Sequence, residues 1–384
     1  MGRKACCVGS IHLQALRGAG SRVPRSKRRG SLARADLYER IRRKTPVPIT
    51  ERDVERVLTA AQIARDLWEL ADLCDVPLAA LPPVIEELQQ ADLLKRLGDR
   101  LELTPTGQAF LQSRGQGSPP PFQARCVACE GRGISLEAEP LRELLKRFLE
   151  VSCNRPRPRS DYDQAYITPE STVARVALMA RRGDLTGRRL IVLGDDDLVS
   201  LAAALSGLPQ RVSVLEIDDE LVGFIEETKG RWGLEMLDVW VHDLREPLAE
   251  EHLRAYDTFV TDPPESWEGC TLFLTRGLSA LKGVGGAGHF GLSRREASLA
   301  KWRKLQGWLL EQGGCITDCI DDFSSYVNWP YWEEMRFSRW LKIRSAPERI
   351  WYRSSQIRFE LIETKQYPNE PFEGTFEDEE LATT

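Results

Sequence analysis

The sequence predicts an α/β protein: a Rossmann-like, doubly wound sheet preceded by a smaller winged-helix-like domain. Three observations predict it. From about residue 172, short apolar runs alternate with helical stretches, the pattern of repeated βα units in a parallel sheet covered on both faces. Residues 50–112 take a different order: helix, turn, helix and a two-stranded wing. Between the two lies a stretch rich in Pro, Gly and Ser, residues 113–124 (SRGQGSPPPFQA). The expected divisions are a basic extension over 1–34, the winged-helix-like domain over 35–112, a linker over 113–160, the sheet domain over 161–365 and an acidic tail over 366–384.

Composition narrows the class. Of the 384 residues, 42% are hydrophobic and 29% charged, which excludes collagen-like, wholly disordered and disulfide-scaffold chains. No run approaches ~18 uncharged apolar residues, so no membrane span is expected. Nine cysteines dispersed over a chain of this size fit a reduced, cytoplasmic setting. The net charge of -5 is uneven. Residues 1–35 hold nine of the 53 Lys and Arg and no Asp or Glu, so the rest carries 44 basic against 58 acidic side chains. An acidic body argues against a polyanionic substrate and suits a cationic ligand.

The elements come in this order. Residues 1–34 lack periodicity and read as a disordered extension, with a nucleic-acid arm as the alternative. Ala5-Cys6-Cys7-Val8 is too short for the apolar core of a secretory signal, and Arg17 interrupts the next apolar stretch. Thr50 and Asp53 open a helix through Val57, Leu58 and Ile63. Leu67, Trp68, Leu70 and Ala71 continue to a turn at Asp75-Val76-Pro77, and a second helix runs through Val84, Ile85, Leu88 and Leu93. Gly98-Asp99 turns into the strand Leu101-Glu102-Leu103, and Thr104 starts a helix that reaches Leu111. The segment from Leu81 to Leu94 carries Glu86, Glu87 and Asp92 but no Lys or Arg, whereas a helix that reads DNA presents cations to phosphate. DNA is therefore not the expected partner; dimerisation or a lid is.

After the linker stands Cys126-Val-Ala-Cys129-Glu-Gly131-Arg-Gly133, the spacing of a zinc knuckle, in which glycines let backbone amides approach thiolate sulfur. One knuckle supplies two ligands, and a structural Zn or Fe site takes four. Two subunits could each give a pair, Cys315 and Cys319 could close the site within one chain, or the pair could be metal-free. The sheet domain then reads as strands at Arg189 to Leu193, Val212 to Glu216, Leu237 to Val241, Thr258 to Thr261, Ala287 to Leu292, Cys315 to Asp321 and Arg349 to Ile362, with helices between.

In such sheets ligands sit beyond the carboxyl ends of the strands. The first strand ends in Gly194-Asp195-Asp196-Asp197, three carboxylates where a nucleotide-binding fold places glycines. One Asp can cap the next helix. Three adjacent acids at a ligand crevice are costly unless the ligand or a metal brings positive charge, and the absence of a glycine fingerprint argues against a dinucleotide with a pyrophosphate. The second strand ends at Glu216, suited to ribose hydroxyls, and the third places Asp243 near an adenine amino group. Together Gly194, Glu216 and Asp243 suit an adenosine moiety without phosphates. The fourth ends in Asp262-Pro263-Pro264-Glu265. Amino-methyltransferases receive a substrate amine on this type of sequence, but with an aromatic after the prolines. Glu265 points instead to a flexible polycation. Asp163 and Gln164, before the first sheet helix, could close over the pocket. His242 and His289 read as structural, and Trp329-Pro330-Tyr331-Trp332 as core.

GDDDL, LEIDD, TDPPES and CVACEGRG jointly resemble the branched-chain polyamine synthases, also called N(4)-bis(aminopropyl)spermidine synthases, of thermophilic archaea and bacteria. The resemblance covers roughly residues 50–362. It implies a methyltransferase-type Rossmann-like domain, and aminopropyl transfer from decarboxylated S-adenosylmethionine to the secondary amine of spermidine, twice, with methylthioadenosine released. No metal or redox cofactor is needed for an in-line displacement. A carboxylate must orient the central nitrogen and accept its proton. Asp197 is assigned that task, Asp195, Asp196 and Asp262 hold ammonium groups, Glu216 takes the ribose and Asp243 the adenine. A homodimer is expected. The competing readings are a methyltransferase acting on an amine or base, and a DNA-binding regulator whose C-terminal domain senses a ligand.

Overall fold

The structure is a computed structural model that describes residues 36–116 and 126–383. The basic extension and most of the Pro/Gly/Ser linker lie outside the described residues. Helix α1 spans 36–44, and after it come α2 (Glu51–Ala60), α3 (Leu67–Cys74) and α4 (Leu81–Gln90). The hairpin β1 (Leu94–Leu97) and β2 (Arg100–Leu103) and helix α5 (Pro105–Gln112) complete this part. Thr50 caps α2 with a reciprocal Thr50–Asp53 capping box, as the sequence predicts. The second helix is shorter than predicted. It stops at Gln90 because Asp92 takes a left-handed turn with φ 55°, which sends Leu94 into the hairpin.

The knuckle leads to α6 (Leu141–Ser152), which lies inside the stretch that the sequence predicts as linker. Leu144, Phe148 and Val151 form its buried stripe. The sheet domain then runs α7 (Pro169–Arg182), β3 (Arg189–Leu193), α8 (Val199–Ser206), β4 (Arg211–Glu216), α9 (Asp219–Trp232), β5 (Leu237–Val241) and β6 (Thr258–Thr261). It continues with α10 (Trp267–Ala280), β7 (Ala287–Leu292), α11 (Leu299–Glu311), β8 (Gly314–Ser325), α12 (Arg336–Leu341) and β9 (Arg353–Leu361).

Among the described residues seven strands form one sheet in the order β5-β4-β3-β6-β7-β9-β8. The first five are mutually parallel, and β9 is antiparallel to both neighbours. Leu190, Val192, Val212 and Val214 pack under α6 to α9 on one face. Ile191, Leu193, Phe259 and Phe290 pack under α10 and α11 on the other. Burial on both faces is why these strands read as unbroken apolar runs. Chain order reverses between β3 and β6, and the crevice outside their carboxyl ends is the switch point where such folds bind ligands.

The N-terminal helices are fused to the sheet domain. Trp68 of α3 meets Trp332, Phe337 and Trp351 ring to ring, and its indole N–H donates to the Ser345 carbonyl at 2.9 Å. Asp72 receives buried Arg295 at 2.7 Å and also Arg353. One hydrophobic core therefore joins α1–α5 to Trp329 and Tyr352, which also wall the crevice.

Candidate active site

A cavity of about 430 Å³ opens beyond the carboxyl ends of β3, β4, β5 and β6. Nine carboxylates line it, against two guanidinium groups, Arg245 and Arg336. That imbalance fixes the charge of whatever enters.

Three successive strand ends build one side of the cavity. Gly194 leaves β3 with φ 70°, a conformation open to glycine, and the Phe273 ring lies 3.7 Å from where a Cβ would stand. Glu216 is buried at the end of β4. It accepts the amides of Asp195 at 2.7 Å and Asp218 at 2.9 Å, which fixes its carboxylate while leaving lone pairs towards the cavity. Burial raises its carboxyl above the usual range, and these amides oppose the rise. Asp243, after β5, is held by its own loop: Arg245 donates through its backbone at 2.9 Å and through its guanidinium. Those bonds lower its carboxyl against the opposing effect of burial.

The acidic triplet divides its work. Asp195 is 1% exposed and turns away from the cavity; it accepts the Ser200 amide at 3.2 Å and the Ser200 hydroxyl. It thereby caps α8, whose own N-cap Leu198 sits at φ 55° without a side-chain acceptor. Asp196 lines the cavity and accepts the Ala165 amide at 2.9 Å. Enclosure by protein, then the nearby Glu216, pushes its carboxyl up to about 6. Asp197 is 3% exposed and does not line the cavity. One oxygen takes the Ile167 amide at 2.7 Å and the other the Arg175 guanidinium at 2.7 Å. Burial raises its carboxyl to about 8, and Arg175 works against that rise. The expectation that Asp197 takes the proton of the amine is therefore revised, as is that of Asp195 holding an ammonium group. Both carboxylates are consumed inside the protein, and Asp196 is the one of the three that lines the cavity.

Asp262 and Glu265 line the opposite wall. Asp262 accepts Arg175 at 3.1 Å and the Tyr326 hydroxyl. Glu265 accepts the Ser293 amide and the Tyr352 hydroxyl, and that hydroxyl lies 2.9 Å from Glu296 as well. Burial, then the nearby Glu296, pushes the Glu265 carboxyl well above its usual range. Asp163 keeps contact with the solvent of the cavity mouth, with its backbone at φ 55°. Enclosure, then Glu296, Asp196 and Asp262, raises its carboxyl too. Gln164 lines the cavity, but its amide is spent on the protein, donating to Asp218 at 2.8 Å and accepting the Arg159 amide at 2.9 Å. It thereby tethers the 160–168 segment with one of its two amide N–H groups and one lone pair of its carbonyl.

The acidic tail is an ordered strap. Asn369 bonds to Leu248 and Arg276, Asp378 to Lys301 at 2.8 Å, and Glu380 to the Ser298 amide and hydroxyl at the start of α11. Glu296 accepts the amides of Ala382 and Thr383, so Phe376, Leu381 and Thr383 become cavity wall. Among the described residues no group of three or more His, Cys, Asp or Glu is placed to hold a metal. Cys315 and Cys319 stand exposed on β8, so the described residues do not complete the Cys126–Cys129 pair within one chain.

Several residues of the site carry no sequence signal. Arg175, Glu296, Tyr326 and Tyr352 belong to no motif and are brought together by the sheet. Periodicity could have shown Arg175 to be anomalous, since it is a cation on the buried stripe of α7. The Trp329 segment is core as predicted, and it is also cavity wall. His289 is buried against Asp184 at 2.8 Å, away from the site.

A doubly wound sheet with an acid at each of three successive strand ends, opening into an acidic crevice, defines a transferase that sets a nucleoside-bearing donor against a cationic acceptor. Residues 143–383 match the family described as the branched-chain polyamine synthase A C-terminal domain. The N(4)-bis(aminopropyl)spermidine synthase of Thermus thermophilus is 47% identical over 348 residues, 91% of this chain and 98% of that protein. That of Thermococcus kodakarensis is 43% identical over 353 residues, 91% of this chain and 99% of the other. The crystal structure of the Thermus thermophilus branched-chain polyamine synthase, in complex with N4-aminopropylspermidine and 5'-methylthioadenosine, matches with a TM-score of 0.83 at 46% identity, covering 91% of this chain and 98% of that one. The chain belongs to the branched-chain polyamine synthase family. It is an aminopropyltransferase, a transferase of alkyl groups other than methyl, as the motifs implied.

Proposed function

We propose that this chain transfers the aminopropyl group of decarboxylated S-adenosylmethionine to the secondary amine of spermidine, then to the tertiary amine so formed, and releases methylthioadenosine each time. The observation that carries the reading is the cavity's charge, nine carboxylates against two guanidinium groups, with Asp196 standing where a methyltransferase keeps glycine. Full-length S-adenosylmethionine would bring a carboxylate to that acidic rim. The decarboxylated donor brings only an ammonium group.

In each round the lone pair of the central nitrogen attacks the propyl carbon bonded to the sulfonium. The C–N bond forms, the C–S bond breaks, and its electron pair neutralises sulfur. Glu216 holds the ribose and Asp243 the adenine. Asp163, Glu265 and Glu296 hold the primary ammonium groups, so the central nitrogen lies between Asp196 and Asp262. These two carboxylates orient it and take its proton. The second round ends in a quaternary nitrogen with no proton left, so deprotonation precedes that attack.

The N-terminal part reads as a winged helix put to structural use: α3 is buried against the sheet domain and α4 offers Glu86 and no cation. In the knuckle Cys126 is exposed and Cys129 half-buried, and the Gly131 and Gly133 amides lower the Cys129 thiol. We read it as half of a metal site shared by two copies in a homodimer. The seven described cysteines are free thiols, in keeping with a cytoplasmic enzyme.

Mass spectrometry of the reaction tests the proposal. Decarboxylated donor and spermidine should give one and then two added aminopropyl units with matching methylthioadenosine. Methylated product from full-length S-adenosylmethionine, with none from the decarboxylated donor, would return the site to the methyltransferases.

A further inference from the structure

Arg175 stands in the middle of α7 and is 2% exposed. Its guanidinium uses three nitrogens on three elements: Nη1 on Asp197 at 2.7 Å, Nη2 on Asp262 at 3.1 Å, and Nε on the Ser324 hydroxyl of β8 at 3.0 Å. The Asp262 oxygen that meets Arg175 also accepts the Tyr326 hydroxyl. Its other oxygen lies against Gly291, where an added Cβ would overlap it. The Asp262 carboxylate is thus fixed from three sides, with one oxygen occupied by protein.

The reacting nitrogen faces conflicting demands. Negative charge draws the polyamine in, yet a carboxylate beside an amine stabilises its ammonium form, which has no lone pair to attack with. A cation directly behind that carboxylate weakens its hold on the proton. Facing Asp262 are Asp196 and Asp197 from the loop after β3, Asp163 from the 160–168 segment, Glu265 from its own loop, and Tyr326 at the end of β8. Arg175 is the cation in contact with it.

We propose that Arg175 is a positioning residue that keeps the central nitrogen of the acceptor from being held as an ammonium ion. It withdraws Asp197 from the cavity and shares Asp262, whereas Asp163, Glu265 and Glu296 line the cavity without an ion pair to a described residue, and there the primary ammonium groups bind. The pattern of charge, strong at the ends and muted in the middle, then selects the central nitrogen for attack. This inference rests on the aminopropyl transfer proposed above.

The test compares wild type with Arg175→Met, Arg175→Lys and the double variant Arg175→Met/Asp197→Asn. The readouts are kcat against pH, KM for spermidine, and the ratio of branched to linear product by mass spectrometry. In Arg175→Met the acid limb of kcat should move up by about one pH unit or more, with an unchanged or lower KM. At pH values on that limb, kcat should fall about tenfold, and attack by a primary amine should raise the linear product. Arg175→Lys, which keeps the charge but loses the fork, should return the limb towards wild type. The double variant removes the buried carboxylate that Met would orphan, so it is the folded control should the single variant be unstable, and it should keep the displaced limb. A wild-type limb and product ratio in the folded double variant would overturn the inference while leaving aminopropyl transfer intact. A wild-type enzyme that forms no aminopropylated spermidine would overturn the parent reading and this one with it.

Discussion

Asp196 and its neighbours show how little three identical side chains need have in common. Asp195 and Asp197 are turned inward by hydrogen bonds to Ser200, Ile167 and Arg175, while Asp196 between them lines the cavity. Asp196→Asn is therefore expected to lower kcat/KM by about 10²–10⁴-fold at unchanged melting temperature, the range of a lost proton acceptor. Asp195→Asn should act mainly on stability, by about 1–3 kcal/mol in denaturant unfolding, because one of the two carboxylate oxygens that accept the Ser200 amide and hydroxyl at the start of α8 becomes a donor. The same group sets the pH profile. With its carboxyl near 6, Asp196 is ionised above that value and protonated below it. Activity should fall as pH drops through about 6, and a rate flat from about pH 5 to 9 would remove Asp196 from the reaction. The sequence makes it legible that acids replace glycines at this strand end. Which of them faces inward depends on the left-handed residues Gly194 and Leu198 that redirect the loop, at φ 70° and 55°, and no spacing rule reports that.

At the scale of elements, the centre of the sheet was legible because β3, β4, β6 and β7 are short apolar runs buried on both faces. Helix α6 was not: its apolar stripe of Leu144, Phe148 and Val151 comes directly after the linker and knuckle, and that context hid a clear helical period. The strap over 366–383 was hidden for the opposite reason. Its acids look like a solvated end, yet Asp378 and Glu380 are spent on Lys301 and on the start of α11. The seam between α3 and the sheet domain was equally invisible, since Asp72 and Arg295 lie far apart in the chain. That seam gives a stability prediction. Asp72→Ala leaves the buried guanidinium of Arg295 without its 2.7 Å partner and frees Arg353 as well. Removing one member of a buried pair destabilises by about 3–5 kcal/mol. Thermal unfolding of Asp72→Ala should show that loss, and because Tyr352 lies in the same core, the variant should lose activity before it unfolds globally.

For the whole molecule, the acidic crevice turns substrate into a structural partner. Burial raises the carboxyls of Asp163, Asp195, Asp196, Asp197, Glu216 and Glu265, with Asp197 at about 8. An acid whose folded value lies above its unfolded one binds more protons in the folded state. Stability then falls as pH rises between the two values. The buried histidines work the other way: burial lowers His252 and His289, so they disfavour folding only below their ordinary value near 6.5. From about pH 7 upward their contribution has ended and the acids set the slope, joined towards pH 8.5 by the thiols of Cys74 and Cys270, which burial also raises and which act in the same direction. The ligand-free protein should therefore lose stability between about pH 7 and 8.5, by up to about 1.4 kcal/mol per pH unit for each proton released. Spermidine supplies the missing positive charge, so its stabilisation should grow over the same interval. Melting curves with and without spermidine at pH 7.0 and 8.5 measure both effects. A ligand-free melting temperature that rises across this interval, or a spermidine shift larger at the lower pH, would mean that the carboxylates in the crevice are already neutralised from within, and that the cavity's charge is not what gathers the acceptor.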